Sequence, residues 1–475
     1  MQNKVLKSLI WKFLERFGTS GIQFVLQIIL ARLLTPDAYG AIALTTIFIS
    51  VSNVFVQQGF STALIQQKEV DEEDYSSVFW ISMLIALICY IVIVLLAPFA
   101  ARFYKIDILK NVLWILGLTL FVGAYNSIQI SHISRNFQFK NLFFSSLIGI
   151  IISGVLGIFA AYLGLGIWSI VIQQLTNQII ITLVLMFETK WVPQFRINVY
   201  KLTRLFKFGS RILSSALLDT IYNNVFSLVI GKVFSTEQLG YYNRADQFPN
   251  VIVTNLNGSI QSVMLPAMSE HQDDKKRVKY IVRKSMILSS YFIFPIMVGL
   301  AVVAEPLVLI ILTDKWIKCV PIIQLLCFSY MLWPIHTANL QAINAVGRSD
   351  IYFKLEVIKK IVGILLLCIS LPFGIYAIII SKIISSVLGV FINAGPNNKL
   401  LDYSYFNQFI DLMPSFFLSI SMGIIVYFTD TYFAHNLTLC IRFVLDISIG
   451  VIYYFVLSYF VNINAIKFLK DYFKN

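Results

Sequence analysis

Stretches of about twenty apolar residues recur along this 475-residue chain and restrict its fold more than any other feature. Hydrophobic residues make up 58% of the chain and charged residues 13%, whereas soluble domains carry about 25% charged residues. A helix of about 20 residues crosses the hydrocarbon layer of a bilayer, and a soluble core needs few helices of that kind. We therefore predict an all-α polytopic membrane protein with about fourteen transmembrane helices.

Two turns, about 200 residues apart, share one pattern and indicate an internal repeat. The first covers residues 31–40 and the second covers residues 231–240, and each joins two apolar stretches. A repeat of this kind predicts a protein built from two similar halves. Position by position, the turns align Arg32 with Lys232, Asp37 with Glu237 and Gly40 with Gly240.

The repeat also predicts how the chain divides. An even number of spans separates the two turns, so the halves share one orientation in the membrane, as in a parallel repeat. Residues 195–208 combine bases and aromatics, which predicts a helix at the membrane interface. The predicted parts are an N-terminal lobe of spans 1–6 at 1–187, a basic cytoplasmic linker at 188–207, a C-terminal lobe of spans 7–12 at 208–394, and two additional spans with a basic tail at 395–475.

The positive charge of the chain predicts its orientation. Lysine and arginine total 37 against 24 acids, and most loop bases fall on the side of the N-terminus, including those of residues 190–207 and 275–284. The positive-inside rule then places both termini in the cytoplasm. Cytoplasmic loop charge therefore explains the excess of bases without nucleic acid. The acidic run at 69–74 opposes this scheme, and we interpret it as a solvated loop rather than a metal site.

The sequence does not favour an enzyme. Its loops are short, no P-loop or GxSxG pattern is present, and the histidines share no ligand spacing. The cysteines lie in or beside apolar stretches, where they act as small hydrophobic residues. We expect no catalytic residues, no metal and no cofactor.

Charged residues within the predicted spans are candidates for binding, because each is costly unless it faces water or a partner. Arg16 and Arg211 occupy equivalent spans of the two halves, near the cytoplasmic side. They either extend to the interface or form a cationic cavity that holds a diphosphate through forked hydrogen bonds. Arg442 and Asp446 are four residues apart on one helix and are predicted to pair.

Uncharged polar residues follow a similar pattern. Asn53 and Gln57 lie on span two, and Gln174 and Asn177 lie on span six. Amides within spans either line a wet cavity or hold helices together, and the sequence leaves both open. Span five has small residues at every fourth position, which predicts close approach by another helix: Ser145, Gly149, Ser153, Gly157 and Ala161.

Residues 33–40, followed by Gly59-Phe60 and residues 63–66, resemble the opening of bacterial polysaccharide flippases. The chain is most similar to the O-antigen and colanic-acid (Wzx-type) exporters of the multidrug/oligosaccharidyl-lipid/polysaccharide superfamily, and the resemblance covers essentially the whole chain. Residues 241–249 are similar to a segment of lipid II flippases, in which an arginine at the place of Arg244 lies in the substrate cavity. Asn53 stands where that relative has a further arginine.

This resemblance implies a flippase that moves an undecaprenyl-pyrophosphate-linked oligosaccharide across the bacterial inner membrane by alternating access. It implies a role in O-antigen, lipopolysaccharide or exopolysaccharide synthesis, with a polymerase and chain-length machinery as partners. The alternatives are a cation-coupled drug antiporter of the same superfamily and a membrane polysaccharide polymerase or ligase. The residues expected to bind substrate are Arg16, Arg211, Arg244, Lys382, Asn53, Gln57, Gln174 and Asn177.

Energy is expected from the membrane potential or from a gradient of H⁺ or Na⁺. Asp219 and Asp446, which lie within predicted spans, are the candidate ion sites.

Overall fold

A computed structural model describes residues 2–58, 64–65, 67, 70–195, 199–434, 437–461 and 464–468, except for the side chains of 2–6, 9, 58, 199–212, 259, 262, 263 and 265. The described ranges form helices joined by short turns. The helices are α1 Gln2–Leu33, α2 Pro36–Asn53 with a π-helical continuation Val54–Gln58, α3 Glu72–Tyr104, α4 Ile108–Gly117, α5 Thr119–Asn136, α6 Phe139–Tyr162, α7 Ile167–Thr189, α8 Val199–Val233, α9 Thr236–Ser269, α10 Lys275–Val302, α11 Ala304–Ile311, α12 Cys319–Met331, α13 Trp333–Ala345, α14 Ser349–Ser370, α15 Ile375–Leu401, α16 Tyr405–Thr429 and α17 Leu439–Val461.

The helical fold confirms the predicted class, an all-α membrane protein. Within the described residues, 11 helical stretches are long and apolar enough to cross a bilayer. The three other expected spans coincide with α1, α9 and α14, which have enough length but more polar sequences. A count of fourteen therefore stays a prediction. In α14, for example, the charged residues are Asp350, Lys354, Glu356, Lys359 and Lys360.

The chain divides by its internal contacts into two compact units, Met1–Gly240 and Tyr241–Asn475. The boundary lies near the start of α9. The lobe boundaries expected around the linker at 188–207 remain a prediction. Residues 199–208 of the predicted interfacial segment form the beginning of α8, a helix of 35 residues.

In the first unit, the two repeated turns have the same local structure and lie against each other. The backbone N–H groups of Leu34 and Tyr39 donate to the carbonyl oxygens of Leu30 and Thr35, and those of Phe234 and Leu239 donate to the equivalent oxygens of Ile230 and Ser235. A Cβ at Gly40 would overlap the carbonyl oxygen of Thr236, and a Cβ at Gly240 would overlap the carbonyl oxygen of Pro36. Because Pro36 and Thr236 are equivalent in the repeat, the contact is reciprocal.

The stripe of small residues on α6 packs against α7, as its spacing predicted. A Cβ at Gly149 would lie 2.6 Å from Ile181 Cγ1, and a Cβ at Gly157 would lie 2.7 Å from Gln173 Cβ. These distances are too short for any larger side chain, so the two helix axes approach closely only because glycine is present. The prediction of close helix approach is confirmed, and α7 is the partner.

The acidic run at 69–74 is not a free loop where it is described. Asp71 caps α3 in a capping box: its side chain accepts from the backbone N–H of Asp74 at 2.8 Å, and the Asp74 side chain accepts from the backbone N–H of Asp71 at 3.1 Å. Glu72 accepts a hydrogen bond from the Trp191 indole at 2.9 Å. The described part of the chain contains no group of three or more potential metal ligands. The acids therefore start a helix and hold the first residues of the linker.

Candidate functional site

The second unit contains an ion pair surrounded by aromatic rings. Lys382 Nζ on α15 lies 2.9 Å from Asp246 Oδ1 on α9 and donates to the Tyr242 hydroxyl at 3.1 Å. Tyr330 on α12 donates to both carboxylate oxygens of Asp246, each at 3.1 Å. The ammonium also lies 5.5 Å and 5.3 Å from the ring centroids of Tyr242 and Tyr330. We call these four residues the lysine cluster.

The local helix geometry explains this arrangement. Tyr242 and Asp246 are four residues apart on α9, so both project from one face of the helix. Tyr330 stacks on Trp333 at a centroid distance of 5.3 Å, which fixes its ring. Both tyrosines are buried, whereas the side chains of Lys382 and Asp246 are 26% and 22% exposed. The side chains of Lys382 and Asp246 are therefore the accessible part of the cluster.

Arg244 has a different set of neighbours. It lies two residues from both Tyr242 and Asp246, a rotation of about 200° around the helix. Its guanidinium donates to Gln247 Oε1 at 2.5 Å and lies 5.7 Å from the Trp316 ring centroid. Only 4% of the residue is exposed, so a solute reaches Arg244 only if the surrounding helices separate. Arg244 therefore projects from a different side of α9 than Tyr242 and Asp246, the two α9 residues that contact Lys382 of α15.

In the first unit, two of the predicted amides pack against a neighbouring helix. Gln57 donates to Asn53 Oδ1 at 3.0 Å, and a Cβ at Gly123 of α5 would lie 2.5 Å from Gln57 Nε2. Asn177 on α7 lies beside Gly149, and Gln174 is half-buried on the same helix. Their role in binding substrate stays a prediction.

Three further residues were predicted as diphosphate ligands or as an ion site: Arg16, Arg211 and Asp219. Arg16 is exposed on α1, and Asp219 is exposed on α8. The side chain of Arg211 lies outside the described residues. Arg16 and Arg211 therefore stay predictions as diphosphate ligands, and Asp219 stays one as an ion site.

Asp446 was expected to pair with Arg442, but the Arg442 guanidinium instead forms two hydrogen bonds with Asp430, one of them between Nη2 and Oδ2 at 2.6 Å. Arg442 Nη2 also lies 3.4 Å from Glu305 Oε2. Asp430 follows α16 directly in sequence and lies 12 residues before Arg442. Arg442 and Asp446 do lie four residues apart on one helix, as predicted. The carboxylate of Asp430 on the neighbouring segment nevertheless binds Arg442, because it provides the bidentate geometry that arginine prefers. Asp446 itself is only 2% exposed.

A third ion pair of this unit was not predicted. Arg283 on α10 binds both oxygens of Asp411 on α16, at 2.7 Å and 2.5 Å, and Tyr403 donates to the same carboxylate at 2.8 Å. Burial, together with the charge of Asp411, raises the pKa of Tyr403, which lies between α15 and α16. Asp246 and Asp411 were missed because each pairs with a base more than 120 residues away, and no local spacing reports such a contact.

Comparison with known proteins shows the family of this chain. The polysaccharide biosynthesis protein family matches residues 29–321, more than half of the sequence. The chain belongs to this family. It is 23% identical to the succinoglycan biosynthesis transport protein ExoT of Rhizobium meliloti, over 75% of this chain and 72% of ExoT. It is 20% identical to the lipopolysaccharide biosynthesis protein WzxC of Escherichia coli, over 90% of this chain and 88% of WzxC.

The fold has a solved counterpart. The lipid II flippase MurJ, in an inward closed conformation, superposes with a TM-score of 0.77 and 18% identity, covering 96% of this chain and 99% of MurJ. This likeness and the family match confirm the predicted resemblance to polysaccharide exporters and flippases.

Proposed function

We propose that this protein is a flippase for a lipid-linked oligosaccharide, and that its substrate is a polysaccharide repeat unit on undecaprenyl pyrophosphate. The observation that carries the proposal is the family match, together with relatives named for succinoglycan transport and lipopolysaccharide biosynthesis, each matched over most of its length. The MurJ-like fold supports it, because that protein is a lipid II flippase. A sugar chain and a diphosphate do not cross hydrocarbon unaided, so a protein path is needed.

Two features of the second unit suit the two ends of such a substrate. Lys382 has a partly exposed side chain, and its ammonium is able to contact a phosphate. A groove of about 650 Å³ between α9 and α10 is lined mainly by apolar residues, including Leu256, Leu288 and Phe292, with Arg277 and Lys284 also on its wall. An apolar groove with bases on its wall fits an isoprenoid chain next to a phosphate.

The proposal extends to mechanism and location. The protein works without covalent chemistry, lies in the bacterial inner membrane with both termini in the cytoplasm, and delivers its product to a polymerase. Asp446 is the preferred ion-coupling candidate of the two acids predicted, because a carboxylate that is 2% exposed favours binding a proton or cation. An H⁺ or Na⁺ gradient, or the membrane potential, supplies the energy.

The test uses the full chain in proteoliposomes. A fluorescent undecaprenyl-pyrophosphate oligosaccharide is placed in the inner leaflet, and its appearance in the outer leaflet is followed with a membrane-impermeant quencher. We expect protein-dependent transfer that stops when the gradient is dissipated. Transfer equal to that of protein-free vesicles, or efflux of an organic cation in the same vesicles, would overturn the proposal in favour of no transport or of drug antiport.

A further inference from the structure

The lysine cluster differs from the two arginine pairs described above for the second unit, Arg283–Asp411 and Arg442–Asp430. Arg283–Asp411 and Arg442–Asp430 are bidentate, and both carboxylates are buried. Lys382–Asp246 has a single contact at 2.9 Å, and both charged side chains are partly exposed. An ammonium binds as a point charge and adapts to new partners, whereas a guanidinium fork fixes its geometry. The lysine pair is therefore better suited to exchange its partner than the two arginine pairs.

Each member of the pair keeps support if the other leaves. Asp246 accepts from the Tyr330 hydroxyl at both oxygens, so its carboxylate remains hydrogen-bonded without Lys382. Lys382 donates to the Tyr242 hydroxyl and lies beside two aromatic rings, which stabilise its charge. Two of the three ammonium hydrogens are used by these contacts. Breaking the pair therefore leaves no buried charge without a partner.

We propose that Asp246 is an internal competitor for the substrate: its carboxylate holds Lys382 until a diphosphate displaces it. This inference rests on the proposed function and deepens it. A diphosphate carries more negative charge than a carboxylate and attracts the ammonium more strongly at equal distance. A monophosphate or a carboxylate has less advantage over Asp246, so the competition favours diphosphate lipids over other anionic lipids.

The competition has a measurable consequence. A site that is available only part of the time binds with an apparent affinity lowered by that fraction. Asp246→Asn removes the competing charge and retains a side-chain oxygen for Tyr330. If Lys382 is free for about a tenth of the time, Asp246→Asn tightens binding about tenfold. The tightening must be smaller for a monophosphate lipid than for a diphosphate lipid.

The experiment measures binding of farnesyl diphosphate and farnesyl monophosphate to the purified full chain in detergent by calorimetry. We expect Asp246→Asn to tighten diphosphate binding, Lys382→Met to weaken it, and the double variant to show no tightening, because Asp246 acts through Lys382. Asp411→Asn is the matched control, since it makes the same change in a fixed pair of the same unit, and it should not tighten binding. Unchanged or weaker diphosphate binding by Asp246→Asn overturns the proposal.

The remaining outcomes are also decisive. If Asp246→Asn and Asp246→Ser both elute as aggregates, the pair is needed for folding and is not exchangeable, which overturns the inference. If the unmodified chain moves the lipid-linked oligosaccharide while Asp246→Asn binds like the parent, only the inference fails. If the unmodified chain neither moves the oligosaccharide nor prefers the diphosphate probe, the proposed function itself fails.

Discussion

In the first unit, the tightest helix contacts described are made by glycines, whereas in the second unit carboxylates pair with bases on other segments. Gly157 has no room for a methyl group beside Gln173, and Asp411 is held by a guanidinium fork. A steric contact fails as soon as one carbon is added. An ion pair gives graded effects, because water replaces part of what is lost. The second unit also has close glycine contacts, since a Cβ at Gly423 would lie 2.5 Å from Val298 Cγ1. Among the described residues, however, only Gly40 and Gly240 of the first unit would meet a backbone carbonyl oxygen within 3 Å. The contrast is therefore between contacts with a rigid backbone and ion pairs that adjust.

The repeated turns should show the largest effect. In Gly40→Ala and Gly240→Ala the new methyl group meets a backbone carbonyl oxygen of the other turn, and a backbone cannot rotate away as a side chain does. We expect each change to lower the stability of the protein by about 3 kcal/mol or more. The measurement is the midpoint of heat-induced aggregation, followed by size-exclusion chromatography of the detergent-solubilised chain.

Gly21→Ala is the control for these variants. A Cβ at Gly21 meets nothing within 4 Å, and alanine is a better helix former than glycine by about 1 kcal/mol. We therefore expect Gly21→Ala to be neutral or slightly stabilising. If Gly40→Ala and Gly21→Ala have the same melting midpoint, the reciprocal contact of the two turns does not contribute to the stability.

The contact between α6 and α7 should rank next. In Gly157→Ala the methyl group meets Gln173 Cβ at 2.7 Å and the Ser169 carbonyl oxygen at 3.3 Å. A shift of α7 by a fraction of an ångström relieves part of this overlap, so we expect a loss of about 2 kcal/mol. The same melting assay measures it. A loss as small as that of Gly21→Ala would show that α7 moves freely on α6.

Within the second unit, we expect loss of the Arg283–Asp411 pair to lower the stability more than loss of the Lys382–Asp246 pair. Asp411→Asn leaves Arg283 without its fork, but Arg283 is 44% exposed, and water therefore limits the loss to about 1–2 kcal/mol. Asp246→Asn should cost less than about 1 kcal/mol, because Tyr330 and Tyr242 keep both ends hydrogen-bonded. Equal melting shifts for the two variants would remove the distinction between them. Added salt should narrow the gap, since screening weakens exposed pairs most.

The sequence supports the fold better than the site, for physical reasons. Apolar stretches must become helices in a bilayer, because every backbone polar group needs a partner there. The four-residue spacing on α6 fixes which face is small, so the close contact at Gly149 was predictable. The pairing of Lys382 with Asp246 was not, because it joins positions 136 residues apart. Arg442 shows the limit most clearly: its local partner Asp446 had the right spacing, yet Asp430 forms the better fork.

The smallest effect on stability is expected at an exposed ion pair, Arg348–Asp350. Arg348 binds Asp350 through two hydrogen bonds of 2.8 Å each, and these hydrogen bonds lower the pKa of Asp350 to about 2. A lowered carboxylate pKa stabilises the fold above the ordinary value of about 3.9 and loses that effect as the pH falls toward 2. Both groups are in contact with water, which reduces this stabilisation to a small amount. Asp350→Asn should therefore not shift the melting midpoint between pH 5 and pH 8. A shift comparable to that of Asp411→Asn at pH 7 would show that exposed pairs also stabilise the second unit, and that burial does not separate fixed pairs from adjustable ones.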